Sequence, residues 1–234
     1  MYKILVIDDN HSFIDSFKVM LKDFPLQIES TYKFQNARTM LGQAGNYKNV
    51  LELQELLSYQ TSLDGHKKEV EVLQKGKNSS EDGMVELPKE PERPEVYRPP
   101  FNTEGYLFVI AEYDTESGIK GTQFIQEVIR SDSSWQYEDF ILLTTKLDSI
   151  ESTVKALNVA TFEKPIKQNN FKNLIADKIQ QMHKLEELIE KITETNKIKI
   201  LDKKRVRKPS VKNNTKKATK TSLLAKSKKS AKKK

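Results

Sequence analysis

Four short apolar runs, each stopped by polar residues and each followed by a helical pattern, constrain this chain more than any other feature. Lys3-Ile4-Leu5-Val6-Ile7 stops at Asp8-Asp9-Asn10, and Tyr106-Leu107-Phe108-Val109-Ile110-Ala111 stops at Glu112. Phe140-Ile141-Leu142-Leu143 stops at Thr144 and Thr145, and Val159 to Glu163 stops at Lys164-Pro165. Continuous apolar runs of this length belong to strands buried on both faces, as parallel strands are. A weaker strand is predicted from Leu26 to Phe34. Between the strands, Phe13, Ile14, Phe17, Met20, Leu21 and Phe24 recur every third or fourth residue, and Pro25 lies just past them. Ala37, Met40 and Leu41 start a second such helix; Phe124, Ile125, Val128 and Ile129 make another, as do Ile150, Val154 and Leu157. The expected fold is a doubly wound, five-stranded parallel α/β sheet.

Two segments depart from this alternation. Val50, Leu53, Leu56 and Leu57 continue a helical pattern, but residues 65–105 hold five of the eight prolines and read as a long loop. Val70/Val72 and Met84/Leu87 alternate weakly, as the two sides of a hairpin arm would. The body is therefore expected over residues 1–182, interrupted by an insertion at about 44–105. The last helix starts near Gln168 and runs long. Phe171, Ile175, Met182, Leu185, Ile189 and Ile192 fit a heptad seam, with Lys178 and Asn196 as polar interruptions. Its extension, 183–202, has no core of its own in the sequence, which leaves two readings: a coiled-coil homodimer, or one long helix with a solvated end.

Charge divides the chain again. Only 36% of its 234 residues are hydrophobic, below the ~45–50% of an average globular chain. Residues 203–234 carry 15 Lys/Arg and no Asp or Glu; the first 202 keep 25 basic and 33 acidic residues, a net of −8, and the overall +7 hides the contrast. Such a tail repels itself and is expected to be disordered until it meets a polyanion. Lys203, Lys204, Arg205, Arg207 and Lys208 open it, and Lys228, Lys229, Lys232, Lys233 and Lys234 close it. These residues are the expected nucleic-acid contacts. The tail holds no aromatic residue for base stacking, so binding should go through phosphates without regard to sequence. An anionic membrane surface is the lesser reading, because no amphipathic helix or lipidation signal accompanies the charge. Contact with the acidic body is a third.

The absence of cysteine excludes a disulfide scaffold, thiolate metal sites and thiol catalysis. No apolar run approaches the ~18 residues of a membrane span, and Met1-Tyr2-Lys3-Ile4 opens on a strand, unlike a signal peptide. The expectation is a cytoplasmic protein, associated with the nucleoid through its tail. His11, His66 and His183 show no metal-ligand spacing and read as surface histidines.

In an open parallel sheet, chemistry gathers beyond the carboxyl ends of the strands. There the sequence places Asp8, Asp9, Glu112, Thr144, Thr145 and Lys164. Clustered carboxylates suit a hard divalent cation such as Mg²⁺, and a hydroxyl with an ammonium suits a phosphoryl group. The chain here resembles the receiver domain of bacterial response regulators. The resemblance rests on Ile4-Leu5-Val6-Ile7-Asp8-Asp9-Asn10, Phe108-Val109-Ile110-Ala111-Glu112, Gly121, Leu142-Leu143-Thr144 and Phe162-Glu163-Lys164-Pro165. Each piece is commonplace; five in the right order, each at a strand end or the start of a helix, are not. It covers about residues 1–43 and 106–182 and implies the flavodoxin-like receiver fold.

The resemblance implies that Asp8 and Asp9, with Glu112, hold Mg²⁺, and that Thr144 and Lys164 contact the phosphoryl group. It also places Glu112 where the family has its phospho-accepting aspartate, and there the sequence departs. Glutamate carries the carboxylate about 1.5 Å, one bond length, further out, and in-line phosphoryl transfer depends on placement. Asp114, two residues on, competes for the acceptor role. Thr161 stands where the family has a switch aromatic. The expected protein is thus a non-enzymatic, atypical or pseudo-receiver of two-component signalling, not conventionally phosphorylated and tethered to nucleic acid by its tail. Its alternative is a phosphorelay receiver accepting a phosphoryl group from a histidine kinase in a Mg²⁺-dependent reaction. A second alternative is an interaction scaffold acting through the insertion and coiled coil. A histidine kinase or other signalling protein, nucleic acid and a second copy of the chain are the expected partners.

Overall fold

Strand β1 (Tyr2–Ile7) lies inside the sheet rather than at its edge, and all its residues but Lys3 are buried. The computed structural model describes residues 1–77, 87–114 and 118–198. After β1 come α1 (His11–Met20), β2 (Leu26–Thr31), α2 (Phe34–Ala44) and α3 (Val50–Lys77). Then follow β3 (Tyr106–Glu112), α4 (Gly121–Ser131), a 3-10 turn at Tyr137–Asp139, β4 (Phe140–Thr144), α5 (Leu147–Leu157), β5 (Ala160–Glu163) and α6 (Gln168–Thr195). All neighbouring strands are parallel, in the order β2-β1-β3-β4-β5. This is the doubly wound flavodoxin-like order. Among the described residues no helix is long and apolar enough to cross a membrane.

Alternate strand residues feed two cores. Leu5, Ile7, Val109, Ala111 and Leu142 meet α2, α4 and α5 through Phe34, Leu41, Phe124, Ile125 and Ile150. Ile4, Val6, Phe108, Ile110, Ile141 and Leu143 meet α1 and α6 through Ile14, Phe17, Phe171 and Ile175. Local chemistry fixes the joints. Asn10 caps α1 by accepting from the Phe13 N–H at 3.1 Å. Gly45 ends α2 at φ 75, a conformation that favours glycine.

The two irregular segments differ from their sequence reading, and for one shared reason. Residues 65–77 are helical rather than looped, so Val70 and Val72 belong to α3 and not to a hairpin; Met84 lies outside the described residues. Leu53, Leu56, Tyr59 and Leu63 of α3, with Val96 from the returning segment, enclose Ile189, Ile192 and Ile198. The expected intermolecular seam is therefore covered within the chain. Asn196, read as a polar break in the seam, is buried and donates to Gln60 Oε1 on α3 at 3.2 Å. A part-buried polar pair of this kind fixes register between helices. The long helix ends at Thr195, short of 202, and the tail from Lys203 lies outside the described residues.

A polar clamp holds α6 to the amino end of the sheet. Tyr2 and Tyr47 each donate a hydroxyl to Glu186, at 2.9 and 2.6 Å. His183 Nδ1 lies 3.0 Å from the Tyr2 hydroxyl. Burial, reinforced by the Glu186 carboxylate, pushes both phenols above their usual range.

Ile189 is 3% exposed inside this helix pair, so Ile189→Ala should cost about 2–4 kcal/mol of stability, read as a lower urea midpoint. Sedimentation mass should not change. A drop in mass without loss of stability would return the seam to a dimer.

Candidate functional site

The carboxyl ends of β1, β3, β4 and β5 open on one edge of the sheet, and their side chains are polar where the strands are not. Asp8 follows β1 and is fully buried. Its backbone N–H continues the sheet by donating to the Thr31 carbonyl at 3.2 Å. Its Oδ1 accepts from the Asn10 N–H at 3.0 Å, so the carboxylate shapes the turn that starts α1. Asp9 is half-buried beside it. Glu112 ends β3 at 9% exposure. Gly121 at the start of α4 comes so close that a Cβ there would sit 2.7 Å from the Glu112 carbonyl oxygen. Only glycine permits that approach.

Lys164 joins these strand ends. Its ammonium donates to Asp8 Oδ2 at 2.6 Å and to Glu112 Oε1 at 2.7 Å. It also lies 4.3 Å from the centre of the Phe13 ring, a cation–π contact. Its backbone N–H donates to the Thr144 carbonyl at 2.7 Å, which places it across the end of β4. Thr144 is buried, and its hydroxyl accepts from the Lys146 N–H at 3.1 Å.

Asp8, Asp9 and Glu112 each offer an oxygen, all within 4.8 Å of one another. Among the described residues, Glu112 Oε2 is a buried oxygen with no hydrogen-bond partner. Burial pushes the Glu112 carboxyl up to about 7; Lys164 pulls it down, and the Asp8 and Asp9 charges push it further up. A single ammonium shared between two carboxylates leaves one oxygen without a donor, and that oxygen resists ionisation. Three carboxylates so placed can share a proton or hold a divalent cation.

The structure thus brings Asp8, Asp9, Glu112, Thr144 and Lys164 to one edge. Asp114 goes elsewhere. It pairs with Lys120 across an isolated bridge at the surface, outside the carboxylate cluster. His11 stacks on Tyr32 with ring centres 3.9 Å apart. Thr161 donates to the Val159 carbonyl at 3.1 Å. Phe13 carried a signal only as one residue of the α1 stripe, which gives no hint that its ring also backs the lysine.

No family model matches the chain, and no curated protein matches it. It is similar in structure to solved receiver domains. One is a response-regulator receiver domain from Clostridium thermocellum, at 13% identity and TM-score 0.46, covering 79% of this chain and 99% of that one. A second is the chemotaxis protein CheY4 of Vibrio cholerae, at 13% identity and TM-score 0.43, covering 77% and 98%. A third is a CheY-like receiver from Methanospirillum hungatei JF-1, at 14% and 0.45, covering 79% and 98%.

The raised Glu112 carboxyl has a consequence for stability. An unfolded glutamate loses its proton near 4.5, whereas the folded one keeps it to about 7. Between those values the folded chain binds more protons, so its stability falls as pH rises and levels off above. Without divalent cation, Glu112→Gln should flatten that fall by on the order of 2 kcal/mol. Urea midpoints from pH 4 to 8 check it, and identical slopes in both proteins would contradict it.

Proposed function

We propose that this chain is a receiver-type signalling module whose acceptor position is held by an internal ion pair rather than switched by conventional phosphorylation, and that its tail attaches it to nucleic acid. The observation that carries the reading is the Lys164 ammonium, 2.6 Å from Asp8 and 2.7 Å from Glu112. The extra methylene of Glu112 lets its carboxylate reach the lysine that a phosphoryl group would otherwise engage. The module turns over no substrate; it presents one surface or another to a histidine kinase or another signalling protein.

The donor set fits a hard cation such as Mg²⁺, because Asp8, Asp9 and Glu112 are all carboxylates and Glu112 Oε2 is buried without a partner among the described residues. Bound there, the ion would neutralise the cluster and let Glu112 ionise fully. The same oxygen favours the second reading, a phosphorelay receiver with Glu112 as acceptor, since nothing described donates to it.

Acetyl phosphate with Mg²⁺ separates the two. The expected result is an unchanged intact mass for the natural chain and a Mg²⁺-dependent phospho-species for Glu112→Asp. A phosphoryl group mapped to Glu112 or Asp114 in the natural chain would establish the relay instead.

The tail reading rests on 15 positive charges in residues 203–234 with no acidic residue among them. Duplex DNA should bind with log affinity falling linearly in log salt, about −0.9 per phosphate neutralised. Six contacts would cost on the order of 10³ in affinity between about 50 and 200 mM salt. Removing 203–234 should abolish binding, since the remainder carries about −8. Tight binding by the truncated chain, or indifference to salt, would defeat the tether.

A further inference from the structure

The ion pairs at the carboxylate edge are backed by a residue with no charge of its own. The Lys164 ammonium, 2.6 Å from Asp8 Oδ2 and 2.7 Å from Glu112 Oε1, also lies 4.3 Å from the centre of the Phe13 ring. The Lys164 side chain is only 13% exposed, and a cation–π contact gains strength as its cation loses water.

The turn that carries the acidic pair also places this ring. Asp8 Oδ1 accepts from the Asn10 N–H at 3.0 Å, and Asn10 Oδ1 accepts from the Phe13 N–H at 3.1 Å. Two hydrogen bonds thus connect the carboxylate that Lys164 engages to the backbone of the residue that faces its ammonium. The Phe13 ring lies against Phe17, with centres 5.8 Å apart, and Phe17 meets Phe171 of α6 edge-on at 5.2 Å. With Phe17, Met20, Pro165 and Ile166, Phe13 also borders a cavity of about 420 Å³. Packing on α1 asks only for apolar bulk at this position, whereas a neighbouring ammonium distinguishes a ring from an aliphatic chain.

We propose that Phe13 is a positioning residue: it holds Lys164 on Asp8 and Glu112 and thereby sets the affinity of the carboxylate edge for a divalent cation. The two carboxylates and the ring meet the ammonium together. A divalent cation drawing on Asp8, Asp9 and Glu112 repels that ammonium from its partners, and an ammonium that moves off them gives up the ring as well. A ligand shifts an equilibrium only by its difference between two states, so whatever favours the seated ammonium counts against the metal. The inference rests on the reading of Asp8, Asp9 and Glu112 as a cation site. It assigns control of that site to an apolar residue outside the donor set.

Mg²⁺ alone is the probe, titrated into the full-length chain at about pH 8, where protons compete least for the carboxylates. Binding is followed through the backbone amide shifts of Asp9 and Glu112. Phe13→Leu keeps the apolar bulk and removes the ring, and it should bind Mg²⁺ about three- to tenfold more tightly than the natural chain. Phe13→Tyr and Phe13→Trp keep a ring, for which the adjoining cavity leaves room, and should bind no more tightly than the natural chain. Loosened packing would weaken binding, so a gain confined to the ringless variant is not what a purely structural role produces. Should Phe13→Leu fail to fold, Phe13→Met makes the same comparison. Equal or weaker Mg²⁺ binding by the ringless variant, or equal tightening by a ring-bearing one, would overturn the role of Phe13 and leave the cation site standing. Absence of saturable shifts in every chain would remove the cation site itself, and the role of Phe13 with it.

Discussion

A parallel sheet whose strands are apolar on both faces must be covered on both, and the rest of this molecule follows from that requirement. Leu5 and Ile7 point one way and Ile4 and Val6 the other, and neither set can meet water. Helical crossovers satisfy both faces only if every strand runs in the same direction. All the carboxyl ends then fall on one edge, and the polar residues that stop the apolar runs are forced together there. The site is a by-product of the topology before it is anything else.

What makes that edge chemically poised is the shortage of cations in it. Asp8 is fully buried and Glu112 nearly so, and Lys164 serves both. In a partly desolvated site, removing one member of such a triad leaves a charge the others cannot compensate. Lys164 is also held by its own backbone to β4 and by the Phe13 ring to α1. A cation entering the edge must therefore compete with an ammonium anchored from two elements, and a phosphoryl group must draw that ammonium away from Asp8 and Glu112.

The strands and the five site residues were legible in the sequence because burial on two faces prints itself as continuous apolar runs, and each run ends in the residue that reaches the edge. Asp114 was ambiguous for the opposite reason: two residues past a strand end, spacing cannot tell edge from surface, and only its pairing with Lys120 decides. The path of α3 was obscured by Gly65 and by the loss of its apolar stripe after Leu63, the last α3 residue in the core it shares with α6. Asn46 and Asp139 were invisible as a pair, since 93 residues separate them and neither lies in a pattern.

The heptad seam of α6 shows most plainly what periodicity can and cannot say. A stripe at Leu185, Ile189 and Ile192 states that something apolar covers this face; it carries no information on whether that cover comes from another molecule. Two oddities of the sequence, an insertion without an evident core and a helix without an evident partner, answer each other, because each buries the surface the other exposes. A second copy would have to bring the same area while paying the loss of free translation, whereas α3 is already tethered through Tyr47 and Lys48. The same tether brings Lys48 to Asp139 beside α6, where Lys178 donates to the Glu138 carbonyl and all four residues line one cavity. The insertion thus builds a second polar pocket at the end of the sheet remote from the carboxylates, with its own charge balance.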